Sequence, residues 1–185
     1  MFLYRKITKI INKFGYTKIF LIFFCLIYTL LVQANGSIEL ARKEFKKAAF
    51  NDKVTNEVYQ VLVSSKTQDP LTQAYVAYFT ALKARHVASP YEKITYVRSF
   101  DQAIKKAVAL APDNFEIRFL RFSVQDKLPT YLGYSKELAI DKKMILQQIQ
   151  LHKVDVPATF KKDMKAVLLN SKTLSIAEKK IIEKI

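Results

Sequence analysis

The sequence predicts an all-α body of about eight helices, preceded by an N-terminal signal or anchor helix. Glycine and proline are scarce, with three glycines and five prolines in 185 residues. An all-β protein would need turn residues about every 8 to 12 positions. Apolar residues recur at intervals of three and four, which is the spacing of one helix face. Because the turns are short, we expect neighbouring helices to form antiparallel pairs.

The first 34 residues differ in composition from the rest of the chain. Basic residues without any acid precede an apolar run over residues 19–32, and small residues follow it. This order is typical of a secretory signal peptide, and we predict cleavage after Ala34. The run is shorter than the roughly 20 residues of a spanning helix. The basic region before it is long, however, so an uncleaved anchor in the inner membrane is the alternative. Both place residues 35–185, a single helical domain, in the periplasm or cell envelope.

Charge and cysteine content restrict the partners. Cys25 lies in the apolar run, so the predicted mature chain has no cysteine and depends on its apolar core. Removing residues 1–34 takes five of the 31 basic residues and none of the 16 acids, which leaves a net charge of +10. Such a charge suggests nucleic acid only for a chain that stays inside the cell. The lysines are spread along the chain, so we expect solvated helix faces or attraction to an anionic surface.

The first four helices have clear boundaries. Residues 37–50 and 53–65 are predicted to form the first pair. Asp69 before Pro70 predicts an N-cap with proline at the first helical position. Ser89 and Glu92 predict a capping box for the next helix. The third and fourth helices carry apolar stripes made of Leu71, Tyr75, Tyr78, Phe79 and Leu82, and of Ile94, Val97, Ile104, Ala107 and Ala111.

The later helices are predicted by the same signals. Asp113 and Glu116 indicate a cap for the fifth helix, which Pro129 ends. Gly133 suggests a tight turn or a close helix crossing. Tyr131 and Tyr134 are expected to be in the core, and exposure beside the turn is the alternative. Further helices are expected over 131–151, over 157–170 and from the pair Ser175 and Glu178 onwards.

One stretch resembles a known repeat. Residues 100–114, FDQAIKKAVALAPDN, are similar to the second helix of a tetratricopeptide repeat, because Ala107 and Pro112 are five apart as in that motif. Phe100 and Ile104 depart from the small and aromatic residues of the pattern, and no second copy follows. The resemblance, over residues 100–119, implies a tetratricopeptide-like array of helical hairpins that binds a protein partner and does not catalyse a reaction.

The fifth helix is predicted to have two apolar faces and a polar strip. At about 100° per residue, its phenylalanines cluster on one side and its aliphatic residues on the other, as in a helix packed on both flanks. Arg118, Arg121 and Gln125 lie between the faces and are the candidate partner-binding residues. One alternative is that the arginines pair with an acid of an adjacent helix, since an unpaired buried guanidinium is costly. The candidate acids, in order of preference, are Asp101, Glu92 and Glu137. The other alternative is that the strip lines a concave groove and binds an acidic group of a partner.

Residue types that carry catalysis or bind metals are few. His86 and His152 are far apart in sequence, so no metal site and no cofactor is predicted. Glu137 and Asp141 lie four residues apart among lysines and are expected to form a solvated face. A helical hydrolase would require a histidine beside a serine in space. We therefore predict a non-enzymatic scaffold or protein–protein interaction domain. The alternative is a basic peripheral protein on a membrane surface or acidic polymer.

Overall fold

The computed structural model describes residues 20–24 and 36–185. The chain divides into two compact units, Met1–Gly36 and Ser37–Ile185; the second is called the body below. Residues 20–24 are helical. The predicted cleavage point after Ala34 and most of the apolar run over residues 19–32 lie outside the described residues. Among the helices of the two described ranges, none is long and apolar enough to cross a membrane.

The body consists of helices and turns, and its described residues contain no strand. This confirms the predicted all-α class. A 3-10 turn, Thr130–Leu132, precedes the sixth helix. The helices are α1 (36–48), α2 (Asp52–Ser64), α3 (Pro70–His86), α4 (Pro90–Leu110), α5 (Phe115–Gln125), α6 (Leu138–Gln150), α7 (Ala158–Leu169) and α8 (Ile176–Ile182).

Most predicted helix starts are confirmed. Asp69 caps α3 by accepting a hydrogen bond from the Thr72 backbone N–H at 2.8 Å, with proline at the first helical position. Ser89 caps α4 through the Glu92 N–H at 3.3 Å. Ser175 caps α8 in a complete capping box. The local signals thus located the helix starts, because a cap needs only residues within one turn.

Two predicted boundaries are wrong. The cap of α5 is Asn114, which accepts from the Ile117 N–H at 3.0 Å, and not Asp113. The sixth helix begins at Leu138 instead of residue 131. Gly133 follows the 3-10 turn with a φ of 75°, a left-handed conformation that interrupts an α-helix. The predicted tight turn at this glycine is confirmed.

The core is built around an aromatic layer that joins four helices. Phe45 of α1 stacks on Tyr78 of α3, with ring centroids 4.8 Å apart. The same ring lies 5.9 Å from Phe119 of α5 and 5.2 Å from Phe160 of α7. All four side chains are buried. The odd-numbered helices therefore meet in the middle of the body.

Contacts along these helices give their directions. Arg42 of α1 and Tyr75 of α3 both bind Glu116 of α5. In each of the three helices, the residue three positions later belongs to the aromatic layer; these residues are Phe45, Tyr78 and Phe119. Helices α1, α3 and α5 are therefore parallel. Helix α7 runs the same way, because Asp126, which caps the C-terminus of α5, accepts a hydrogen bond from Ser171, which follows α7.

This arrangement gives the body two ends. The turns that follow α1, α3, α5 and α7 lie at one end, called the upper end below. The turns that follow α2, α4 and α6 lie at the other, called the lower end. Two contacts confirm the grouping at the upper end. Thr55 Oγ1, at the start of α2, lies 3.4 Å from His86 Nε2 at the end of α3, and Lys127 Nζ donates to the Asn170 carbonyl at 3.4 Å.

Candidate functional site

The arginines of the predicted polar strip are held inside the fold. Arg121 donates from Nε and Nη2 to the two oxygens of Asp141 in α6, at 2.6 and 2.7 Å. Arg118 donates to the same carboxylate at 2.9 Å. Asp141 and Arg121 are buried, and Arg118 is partly buried. Bidentate pairing of this kind is strong and directional, so it joins α5 to α6.

The predicted identity of the paired acid is wrong. Asp101, Glu92 and Glu137 were the expected partners, and Asp141 was expected on a solvated face. In the structure Asp141 is fully buried, because the first turn of α6 presents it to α5. Glu137 and Asp101 instead flank Lys105, whose Nζ lies 3.5 and 2.9 Å from their carboxylates.

The third residue of the strip, Gln125, is buried at the end of α5. Its Nε2 donates to Glu137 Oε2 at 3.0 Å. Burial alone would raise the pKa of Glu137, but the hydrogen bond from Gln125 and the charge of Lys105 lower it overall. Gln125 Oε1 and Asp101 Oδ1 are buried without a hydrogen-bond partner among the described residues. The partner-binding role of Arg118, Arg121 and Gln125 stays a prediction.

A second buried network, which sequence reasoning missed, surrounds Glu116. Arg42 donates to its two oxygens at 2.9 and 2.6 Å, and the Tyr75 hydroxyl donates to it as well. Burial, followed by the charge of Glu116, raises the pKa of Tyr75, so the phenol stays protonated. The hydrogen bond with Glu116 raises the pKa of Arg42. The only sequence signal was that Glu116 is the single acid in the two-faced helix α5.

In or beside each of its four turns, the upper end has one large apolar side chain that is solvent-exposed over more than three quarters of its surface. We call these residues the four tips; they are Phe50 (77% exposed), Tyr91 (82%), Tyr131 (85%) and Ile176 (80%). Ile140, in the first turn of α6, is less exposed, at 60%. The predicted core position of Tyr131 is therefore wrong, since the 3-10 turn carries its ring outward. Tyr134 is half-buried.

Exposed cations surround the four tips. The guanidinium carbon of Arg85 lies 5.2 Å from the centre of the Phe50 ring, within cation–π range. Two exposed carboxylates, Asp52 and Glu92, belong to the same end, and the exposed carboxylate of Glu57 lies 4.0 Å from Lys53 Nζ. Asp126 and Glu178 are bound in ion pairs to Lys127 and Lys142. The exposed cations of the upper end are Lys46, Lys47, Lys53, Arg85, Lys93, Lys127, Lys136 and Lys172.

The lower end has a different surface. Its exposed apolar residues are less exposed than the tips; they are Leu110 (63%), Leu151 (53%), Val63 (44%) and Val61 (43%). Its exposed charges are mixed. In and beside its turns they are Lys66, Lys106, Lys153 and Lys162 together with Glu39, Asp113 and Asp155. The upper end therefore carries the larger excess of positive charge.

The two histidines lie apart from the buried networks. His86 ends α3 beside Thr55, and His152 is exposed with a φ of 54°. Within the described ranges, no three histidine, cysteine or acidic side chains are grouped so that they could hold a metal ion. Comparison with protein-family models, with curated proteins and with solved structures finds no match to this chain.

Proposed function

We propose that this protein is an exported, non-enzymatic helical scaffold of the cell envelope that binds its partner through the upper end. One observation carries the proposal. The four large apolar side chains with the highest exposure in the described chain are at four different turns of the same end. Single exposed apolar residues are common on soluble proteins, but four of them at one end, accompanied by exposed cations, are typical of an interaction surface. The proposal places binding at the helix ends.

The buried networks support this role by making the body stiff. The pairs of Arg42 with Glu116 and of Arg121 with Asp141 connect α1, α5 and α6. Removing either partner would leave an uncompensated buried charge, so each pair resists relative movement of the helices. A stiff body presents its turns in a fixed arrangement, which lowers the entropic cost of binding.

The tetratricopeptide-like arrangement remains part of the proposal. The parallel direction of α1, α3, α5 and α7 supports an array of helical hairpins. The contact between Phe45 and Phe160 brings α1 against α7, so apolar side chains, and not an open groove, lie between these two helices. A binding surface at the turns, and not along the helices, is consistent with this packing.

Two classes of partner follow from the sequence. The resemblance implies another protein, and the net charge of +10 after signal removal favours a membrane surface or an acidic polymer. The mixed charge of the lower end does not favour an anionic partner there. Both classes of partner are therefore proposed for the upper end.

Photo-crosslinking in the exporting cell tests the proposal. A photoreactive amino acid at position 131 should give adducts in the envelope fraction, whereas the same amino acid at Leu110 of the lower end should give few. Protein and lipid adducts both support binding through the upper end. Equal labelling from the two positions, or none from position 131, would contradict it.

A further inference from the structure

We infer that the upper end docks on an anionic lipid bilayer, with the four tips inserted among the lipids and the surrounding cations at the headgroups. The inference rests on the proposed function, since it names the partner of the same surface. The placement of the tips and the positive charge of the upper end support it. The lower end differs from the upper end in both respects.

The tips form two neighbouring pairs. Arg85, at the end of α3, lies over the Phe50 ring, which places Phe50 beside the turn that leads to Tyr91. Asp126 accepts hydrogen bonds from Ser171 and Thr173, at 2.5 and 2.8 Å. These bonds join the turn that carries Tyr131 to the turn that leads to Ile176.

The helix ends that lead to the tips differ in height above the aromatic layer. From this layer, the odd-numbered helices continue for three to nine residues before they end, or about 5 to 14 Å at 1.5 Å per residue. The spread of about 9 Å is comparable with the depth of about 5 to 10 Å to which interfacial segments bury their apolar groups. A lipid surface can therefore contact all four turns when the tips insert to different depths.

The chemistry of the tips suits the boundary between headgroups and acyl chains. Tyrosine is enriched at this boundary, because its ring is apolar and its hydroxyl stays hydrated. Lysines next to apolar groups hold their stems in the interface and their ammonium groups at the phosphates. Each tip has an exposed lysine within five residues in sequence, such as Lys53 for Phe50 and Lys93 for Tyr91. Anionic lipids attract such clusters.

A protein partner fits this surface less well. The centres of protein interfaces are depleted of lysine and contain adjoining apolar residues. At the upper end the four apolar side chains are on separate turns with lysines between them. A lipid surface accommodates separated apolar groups, since each inserts independently and the lysines find phosphates between them.

A tryptophan probe tests the inference, because the chain contains no tryptophan. The Tyr131→Trp and Leu110→Trp variants of the full-length protein carry the probe at the upper and the lower end. Each is mixed with vesicles of phosphatidylcholine and phosphatidylglycerol, with and without brominated acyl chains. We expect a blue-shifted emission that bromine quenches for Tyr131→Trp, and neither change for Leu110→Trp.

Two matched quadruple variants measure the contribution of the tips to binding. One changes the four tips to serine, and the other changes Val61, Val63, Leu110 and Leu151, which are exposed in or beside the turns of the lower end, to serine. Both variants keep the N-terminal apolar run unchanged. A difference in vesicle binding between them therefore comes from the body. The tip variant should lose about a hundredfold in vesicle partitioning, which corresponds to about 2.8 kcal/mol, or roughly 0.7 kcal/mol for each half-inserted side chain. The control should stay within about threefold.

The outcomes separate the inference from the proposed function. Quenching at the upper end that requires phosphatidylglycerol, together with loss in the tip variant, supports lipid docking. A probe at position 131 that ignores vesicles but shifts with lipid-free envelope proteins overturns the lipid inference and leaves the scaffold proposal standing. A probe that responds to neither overturns both. Quenching at position 110 alone would show that the lower end faces the lipid, which also overturns the inference.

Discussion

Charged residues are usually exposed and large apolar residues are usually buried. The interior around α5 departs from this rule with buried charges, and the upper end departs from it with exposed apolar residues. Around α5, the charged residues Glu116, Arg121 and Asp141 are buried. At the upper end, the four tips are apolar and exposed. Each buried charge has an oppositely charged partner inside the fold. The tips stay exposed to solvent in the described chain, and Phe50 is in contact with the guanidinium of Arg85.

The contrast separates residues that stabilise the body from residues available for binding. A buried charge whose hydrogen bonds are made by neighbouring helices contributes to structure, and its removal should lower stability. An exposed apolar residue contributes little to stability, and its removal should change binding instead. The four predictions below test this division, beginning with the largest expected effect.

Asp141→Ala should destabilise the protein most. The change leaves Arg121 buried without its acid, and breaking a buried pair in this way costs about 3 to 5 kcal/mol. The free energy of unfolding, measured by urea titration, gives the cost. Glu92→Ala is the matched control, because Glu92 is exposed and its change should be nearly neutral. If the Asp141→Ala protein is as stable as the control, the ion pairs of the arginines with Asp141 do not stabilise the fold.

Glu116→Gln should have the next largest effect. The amide cannot neutralise Arg42, and we expect a loss of about 1 to 3 kcal/mol in the free energy of unfolding. Tyr75→Phe removes only the hydroxyl donor and should cost less. If the two variants lose equal stability, the ion pair of Arg42 adds nothing to the hydrogen bond of Tyr75.

Asp126→Asn should change how stability depends on pH. Burial alone would raise the pKa of Asp126, but hydrogen bonds from Lys127, Ser171 and Thr173 outweigh it, and its pKa is lowered. A lowered pKa contributes stability in full above the unfolded value of about 3.9, and this contribution is lost as the pH falls through the folded value. The variant should therefore be less stable than the wild type at neutral pH.

Urea unfolding at several pH values measures this difference between the two proteins. The two free energies of unfolding should begin to converge below about pH 4, where the unfolded aspartate takes up a proton, and should meet once the pH is below the lowered pKa of the folded aspartate. A difference that does not shrink as the pH falls well below about 4 would show that the charge of Asp126 does not stabilise the turn between α7 and α8.

Tyr131→Ser should have the smallest effect on stability. Exposed positions without special backbone geometry usually change the free energy of unfolding by less than about 0.5 kcal/mol. Tyr78→Ser is the contrasting variant, because Tyr78 is buried in the aromatic layer. Thermal unfolding of both compares an exposed with a buried tyrosine. A large loss for Tyr131→Ser would assign the tip to structure instead of binding.

Sequence reasoning found the helices more accurately than their contacts. The proline-marked starts of α3 and α4 were correct, and so was the prediction that α5 is packed on both sides, since it contacts α3, α4, α6 and α7. Of the two alternatives for Arg121, pairing with an acid of an adjacent helix was correct. The acid itself, the network of Glu116 and the exposure of Tyr131 were not found.

The sequence by itself determined where helices begin and which residues form their apolar faces, because caps and periodicity act within one or two turns. The tertiary structure decided which charges meet. Arg121 pairs with an acid 20 residues away, and Arg42 pairs with one 74 residues away. Such pairings depend on the rotation of each helix about its axis against its neighbours, and no local pattern records that rotation. The gathering of the four tips at one end was decided in the same way, by helices that pack in parallel around a shared aromatic layer.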